Sequence, residues 1–168
     1  MHSSDAVAFH KIVEHDFIQA RKKMTQQTEI ENSQTEGVRK MLAEAGYSQR
    51  AIQYYIEKPY MGSIPDAELK SEMTGTCGDT MGVYVKMNNG TIADAKYEVL
   101  GCAGAISAAM AAVDLIKGRS LEYARGLNDG DIFTVLEEIP VKKHHCIQLA
   151  VKTLHKAIDE FNGVKNSG

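Results

Sequence analysis

The residues best equipped for chemistry are three cysteines, each in a different local context. Cys77 lies in Gly75-Thr76-Cys77-Gly78-Asp79, and Cys102 in Gly101-Cys102-Ala103-Gly104-Ala105-Ile106. Cys146 closes Pro140-Val141-Lys142-Lys143-His144-His145-Cys146. Separate loops of this kind can deliver soft thiolate ligands to one metal centre, and Asp79 and His145 add an oxygen and an imidazole donor. Thiolate is also the nucleophile of sulfur chemistry. Gly78, Gly101 and Gly104 leave room for a bulky group or a partner's loop beside the backbone. Each residue alone has a plainer reading: a small buried hydrophobe for Cys102, an ordinary turn for Gly78-Asp79, and a solvent-facing pair for His144-His145. The combination is what points to a metal or sulfur site. No Cys-x-x-Cys pair occurs, so zinc-finger and ferredoxin spacings are absent. Tyr54-Tyr55, Met61, Met73 and Met81 read as packing residues.

The elements that must position these loops fall into two regions. Residues 1–50 contain no cysteine and read as a helical or partly flexible extension. Phe9, Ile12, Val13, Phe17 and Ile18 recur near helical spacing, the polar stretch Thr25 to Glu36 reads as a linker, and Val38, Met41 and Leu42 suggest a second helix ending near Gly46. Ser48 is a candidate cap for a third helix carrying Ile52, Tyr55 and Ile56, which Pro59 stops.

Residues 51–162 read as the main domain, and 163–168 as a frayed tail. Met81, Val83, Val85 and Met87 alternate with polar or small residues, Asn89-Gly90 is a two-residue hairpin signal, and Ala93, Ala95, Tyr97 and Val99 alternate on the return strand. A small-residue helix is expected from Ala103 to Lys117, stopped by Gly118. Ser120 is a candidate cap for a short successor. A brief helix follows over Asp131 to Glu138, and a last one over His145 to Phe161. On this reading Cys77 precedes the first strand, Cys102 joins a strand to a helix, and Cys146 opens the last helix. Strands followed by helices predict an α+β fold: a small antiparallel sheet with helices packed on one face, plus the helical N-terminal extension.

Composition sets further limits. The 168 residues suit one domain with an extension, and a formal charge of −3 gives no electrostatic basis for nucleic-acid binding. No apolar run approaches a membrane span. The segment Met1 to Lys11 has no apolar core of a secretory signal, and the odd cysteine count suits a reducing compartment; the cytoplasm is the expected location.

From about Tyr55 to Phe161 the sequence resembles the IscU/NifU-type iron–sulfur cluster assembly scaffolds, an IscU/SufE-like fold. The similarity lies in Cys77-Gly78-Asp79, the Asn89-Gly90 hairpin, Gly101-Cys102-Ala103-Gly104-Ala105-Ile106 leading into a small-residue helix, Lys117-Gly118-Arg119-Ser120-Leu121, and Pro140-Val141-Lys142 shortly before His145-Cys146. The resemblance implies a non-enzymatic scaffold on which an iron–sulfur cluster, [2Fe–2S], is built from iron and the sulfur of a cysteine desulfurase, then passed to apo iron–sulfur recipient proteins. It implies Cys77, Asp79, Cys102, His145 and Cys146 as the donor set, with Cys146 as persulfide acceptor and Zn²⁺ as an occupant of the cluster-free form. The alternative is a persulfide relay, a sulfurtransferase partner of the desulfurase with structural zinc.

Three departures from the family pattern bear on the details. Glu138-Ile139-Pro140-Val141-Lys142 stands where the family has Leu-Pro-Pro-Val-Lys, so recognition by an Hsp70-type chaperone is not carried over. One extra residue between Pro-Val-Lys and Cys146 leaves His144 as an alternative to His145. The segment before residue 50 has no counterpart in the compact members; shielding the cluster, self-association as a homo-oligomer and partner binding are the roles open to it.

Overall fold

The computed structural model describes residues 3–166, with side chains from 7 to 163. The chain divides into two units, residues 1–41 and 42–168. Helix α1 covers Ser3–Glu44 without a break, so the linker expected over Thr25 to Glu36 is instead continuous helix. Polarity misled there: the stretch is rich in Gln and Glu, which are good helix formers, and has no Gly or Pro. Its hydroxyls bond back into the helix, Thr25 Oγ1 to Arg21 O at 3.0 Å and Thr28 Oγ1 to Met24 O at 2.9 Å, and Gln27 reaches Glu31 at 3.2 Å. The stop comes at Gly46, whose φ of +96° suits glycine and whose N–H bonds Ala43 O.

In the second unit, Ser48 caps α2 (Gln49–Glu57) as expected, its Oγ accepting from Ala51 N at 3.0 Å. Three strands follow, β1 (Leu69–Thr74), β2 (Thr80–Asn88) and β3 (Thr91–Leu100), in one antiparallel sheet of order β1-β2-β3. The Asn89-Gly90 turn joins β2 to β3 with both residues at positive φ, 49° and 80°. β1 was not foreseen: among its six residues only Leu69 is buried, and an edge strand so polar gives little alternation to read. Cys77 therefore lies at the tip of a β1–β2 hairpin, between two strands. A second difference lies on β3. The pairing shifts from Lys86↔Asp94 to Met87↔Ile92, which bulges Ala93 outward and gives its inward position to Ile92.

The helices are α3 (Ala103–Ile116), α4 (Leu121–Gly126), α5 (Asp129–Leu136) and α6 (His144–Asn166). α3 is the spine. Ala105, Ala108, Ala109, Ala111 and Ala112 are all fully buried, and such small side chains let α2, α6 and β3 approach it together. Ser107 Oγ donates to Ala51 O at 2.8 Å and Tyr97 Oη to Ala150 O at 2.9 Å, so these buried hydroxyls tie α3 to α2 and β3 to α6. α4 starts at the expected Ser120 cap. α5 starts two residues earlier than expected, because Asn128 and Asp131 form a reciprocal capping box, and ends before Glu137 at φ 65°. α6 continues past Phe161 to Asn166, with Gly163 inside it; residues 167–168 of the expected tail lie outside the described residues.

Ser48 also donates to Leu136 O, joining the start of α2 to the end of α5. Ser48→Ala is expected to lower unfolding stability by about 1 kcal/mol, through loss of the cap and this tether, read as a lower urea midpoint at unchanged slope.

Candidate metal centre

The sheet register brings two of the three cysteine loops to one end. Thr74 pairs with Thr80 and Thr80 with Leu100, so the Gly75–Asp79 hairpin tip and the Gly101-Cys102 junction leave the sheet side by side. α6 packs along β1, and its first turn carries His145 and Cys146 to the same end. The hairpin tip is held by Gly75 N to Asp79 O at 2.8 Å and Gly78 N to Gly75 O at 3.0 Å, with Gly78 at φ +87°.

Five expected donors meet here in two overlapping triads, Cys77–Asp79–His145 and Asp79–Cys102–Cys146. Within each triad the ligand atoms lie within 4.8 Å of one another. Cys102 Sγ lies 3.7 Å from Cys146 Sγ and 3.4 Å from Asp79 Oδ2, and Cys146 Sγ lies 3.8 Å from the same oxygen and 3.5 Å from His145 Nε2. Exposure is graded: Cys77 is exposed, Cys102 half-buried and Cys146 fully buried. The two histidines part ways. His145 joins the donors, whereas His144 turns to α5, its ring edge-on to Phe133 at 5.2 Å between centroids. Soft sulfur, imidazole and carboxylate within this span fit a thiophilic metal or a cluster with sulfide bridges.

Cys102 is the N-cap residue of α3, where backbone N–H groups favour negative charge. Its thiol is pulled down to about 5, first by the hydrogen bond from Cys146, then by the Ala105 N–H and the Lys143 ammonium, against burial and Asp79. Cys146 is pushed far up, by its bond to Cys102, by burial, and by the charges of Cys102 and Asp79. The pair thus holds one proton and one negative charge. Lys143 is raised by its contact with Cys102, and Tyr47 by burial first and then by the Cys102 charge. The sequence reading missed both Lys143 and Tyr47. The 3₁₀ turn Val141–Lys143 before α6 delivers Lys143 to the sulfurs, and its nearness to Cys146 in the chain was the available signal. For Tyr47, far away in sequence, there was none.

Gly101 and Gly104 prove to be contact positions. A Cβ on Gly101 would come within 2.8 Å of Asp79 Cγ, and one on Gly104 within 3.1 Å of Lys143 Cβ and 3.4 Å of Tyr47 Oη. Glycine lets the carboxylate and the lysine stem lie directly against the start of α3.

This α+β domain, with three donor-bearing loops at one end, has recognisable relatives. Residues 46–167 match the family model of the NifU-like N terminal domain, and the chain belongs to that family. It is 33% identical over 126 residues to the iron–sulfur cluster assembly scaffold protein IscU of Escherichia coli (strain K12), covering 72% of this chain and 98% of that one. It is 35% identical over 120 residues to the IscU of Haemophilus influenzae, covering 68% and 94%. Among solved structures, a NifU-like N-terminal protein from Brucella abortus aligns at a TM-score of 0.56 and 19% identity over 69% of this chain and 94% of that one, a likeness of fold. Residues 1–45 lie outside the family match.

Gly101→Ala is expected to push Asp79 out of both triads. Zn²⁺ affinity, read by competition with a chromogenic chelator, should fall roughly 10- to 100-fold while far-ultraviolet circular dichroism stays unchanged.

Proposed function

We propose that this chain is a scaffold on which a [2Fe–2S] cluster is assembled from iron and desulfurase-derived sulfur and then handed to apo-proteins. The observation that carries this reading is the pair of donor triads sharing Asp79, at a rim graded from exposed Cys77 to buried Cys146. A permanent tetrahedral site needs four ligands, well enclosed. Five donors with one open side suit cargo that must enter and leave. The iron and sulfide are substrates here. The protein's part is to hold thiolate ready at Cys102, to offset its charge with Lys143, and to present Cys77 and His145 on the accessible side.

Cys146 is the proposed sulfur acceptor. Its thiol passes its proton to the neighbouring Cys102 thiolate as its sulfur attacks the sulfane sulfur of the desulfurase persulfide, the S–S bond breaks, the desulfurase thiolate leaves, and Cys146 carries the new S–S bond. Cys77, Asp79, Cys102, His145 and Cys146 are the proposed ligands, and Zn²⁺ is the proposed occupant of the cluster-free site. The reading fits a cytoplasmic protein with a desulfurase and recipient proteins as partners. Among the described residues, no helix is long and apolar enough to cross a membrane.

Anaerobic reconstitution with iron, cysteine and a desulfurase is expected to give visible charge-transfer bands and near-equal iron and acid-labile sulfide. Cys77→Ser, Cys102→Ser and Cys146→Ser should each abolish the stable cluster. Only Cys146→Ser should also remove the one-sulfur mass increment on the alkylated chain. A colourless zinc protein that still carries this increment would replace the scaffold reading with the sulfur relay.

Asp79→Ala is expected to slow transfer to an apo-ferredoxin several-fold, followed by circular dichroism of the cluster, since a weak oxygen ligand is an exit point for cluster iron. Transfer as fast as in the parent chain would remove Asp79 from that role.

A further inference from the structure

The first unit is a single helix that carries an apolar seam in the open. Phe9, Val13, Phe17, Ala20 and Met24 follow one another at spacings of four, four, three and four, which keeps them on one stripe of α1. Phe9 is 71% exposed, Phe17 62% and Met24 70%. A lone helix gains little from propensity in water, and most helical stability comes from covering such a face. In heptad terms Phe17 and Met24 occupy a, Val13 and Ala20 d, Glu14 and Arg21 e, and Asp16 and Lys23 g.

We infer that this seam pairs antiparallel with the same seam of a second copy of the chain. The register that sets a against d pairs residues whose numbers sum to 37. Phe17 then meets the partner helix at Ala20, and Val13 meets it at Met24: large against small, in four apolar layers. The flanks follow without further choice. In an antiparallel pair, e faces e and g faces g, so Glu14 meets the second copy's Arg21 position, Asp16 its Lys23 position, and Phe9 its Ile30 position. By symmetry that gives four opposite-charge pairs, no like-charge pair among these positions, and two further apolar contacts. A parallel pair of the same helices sets only Asp16 against Arg21, twice, and stacks Phe17 on its own copy. The charge pattern therefore selects the occupant as well as the orientation. Within one chain Arg21 already lies over the Phe17 ring, 5.7 Å from its centroid, so its stem is positioned to cover the seam's edge.

The full chain is expected to sediment at twice its 18.4 kDa mass. Phe17→Asp should give the monomer mass. Arg21→Glu/Lys23→Glu and Glu14→Lys/Asp16→Lys should each raise the dimer dissociation constant by roughly tenfold or more, and an equal mixture of the two should recover a mixed dimer. That recovery separates lost pairing from a helix that has merely frayed. A nitroxide amino acid at Gln27, a d position just beyond the four apolar layers, fixes direction. Dipolar spectroscopy should give about 25 Å, for 17 residues at 1.5 Å each, whereas a parallel pair gives about 10 Å. A monomeric full chain, a dimer unaffected by Phe17→Asp, or the short distance would each overturn the inference.

Discussion

Two sulfur atoms 3.7 Å apart, with one carboxylate oxygen 3.4 and 3.8 Å from them, cannot all be charged in a half-buried site. The protein resolves this conflict with a shared proton and a borrowed cation. Cys102 takes the negative charge at the start of α3, Cys146 keeps its proton, and Lys143 brings a positive charge from the turn just before α6. On the proposed function, a thiophilic cation entering the site would meet one ready thiolate and displace the proton of the second. Donors held together by one proton when empty and by a cation when loaded suit loading and unloading better than permanent storage.

Holding that conflict requires a stiff frame, and α3 supplies it. Its buried alanines bring α2, β3 and α6 close to one axis, which sets where the donor-bearing loops leave the core. The antiparallel register adds the second constraint, because Thr74, Thr80 and Leu100 lie at one sheet end and oblige two cysteine loops to emerge together. Gly101 completes the arrangement by leaving no side chain between Asp79 and the backbone before Cys102.

What the sequence made legible follows from how local each signal is. The Ser48 and Ser120 caps, the Asn89-Gly90 turn and the Gly118 stop act over a few residues and could be read directly. The donor loops were legible only in combination, since each residue alone has a plainer reading, and their roles came from the family resemblance. β1 was hidden because an edge strand with one buried residue has no hydrophobic alternation. The Ala93 bulge was hidden because it arises from pairing across strands. Continuity of α1 was obscured by equating polarity with loop, when Gln and Glu favour helix. The separation of His144 from His145 depends on Phe133, which a count along the chain cannot see.

The antiparallel pairing inferred for α1 has a consequence for the site. With residues summing to 37 set opposite each other, Leu42 of one chain and Leu42 of the other lie about 70 Å apart along the helix axis, at 1.5 Å per residue. Leu42 is where each chain enters its second unit. The pairing adds no donor to either site, and the five proposed donors for one cluster all lie in one chain. The two triads provide them, with Asp79 common to both and all three cysteines in the same end of the same domain. On the inferred pairing, one particle would carry two such sites, and the proposed desulfurase or recipient that binds one would meet the second at a raised effective concentration without a new contact at either centre.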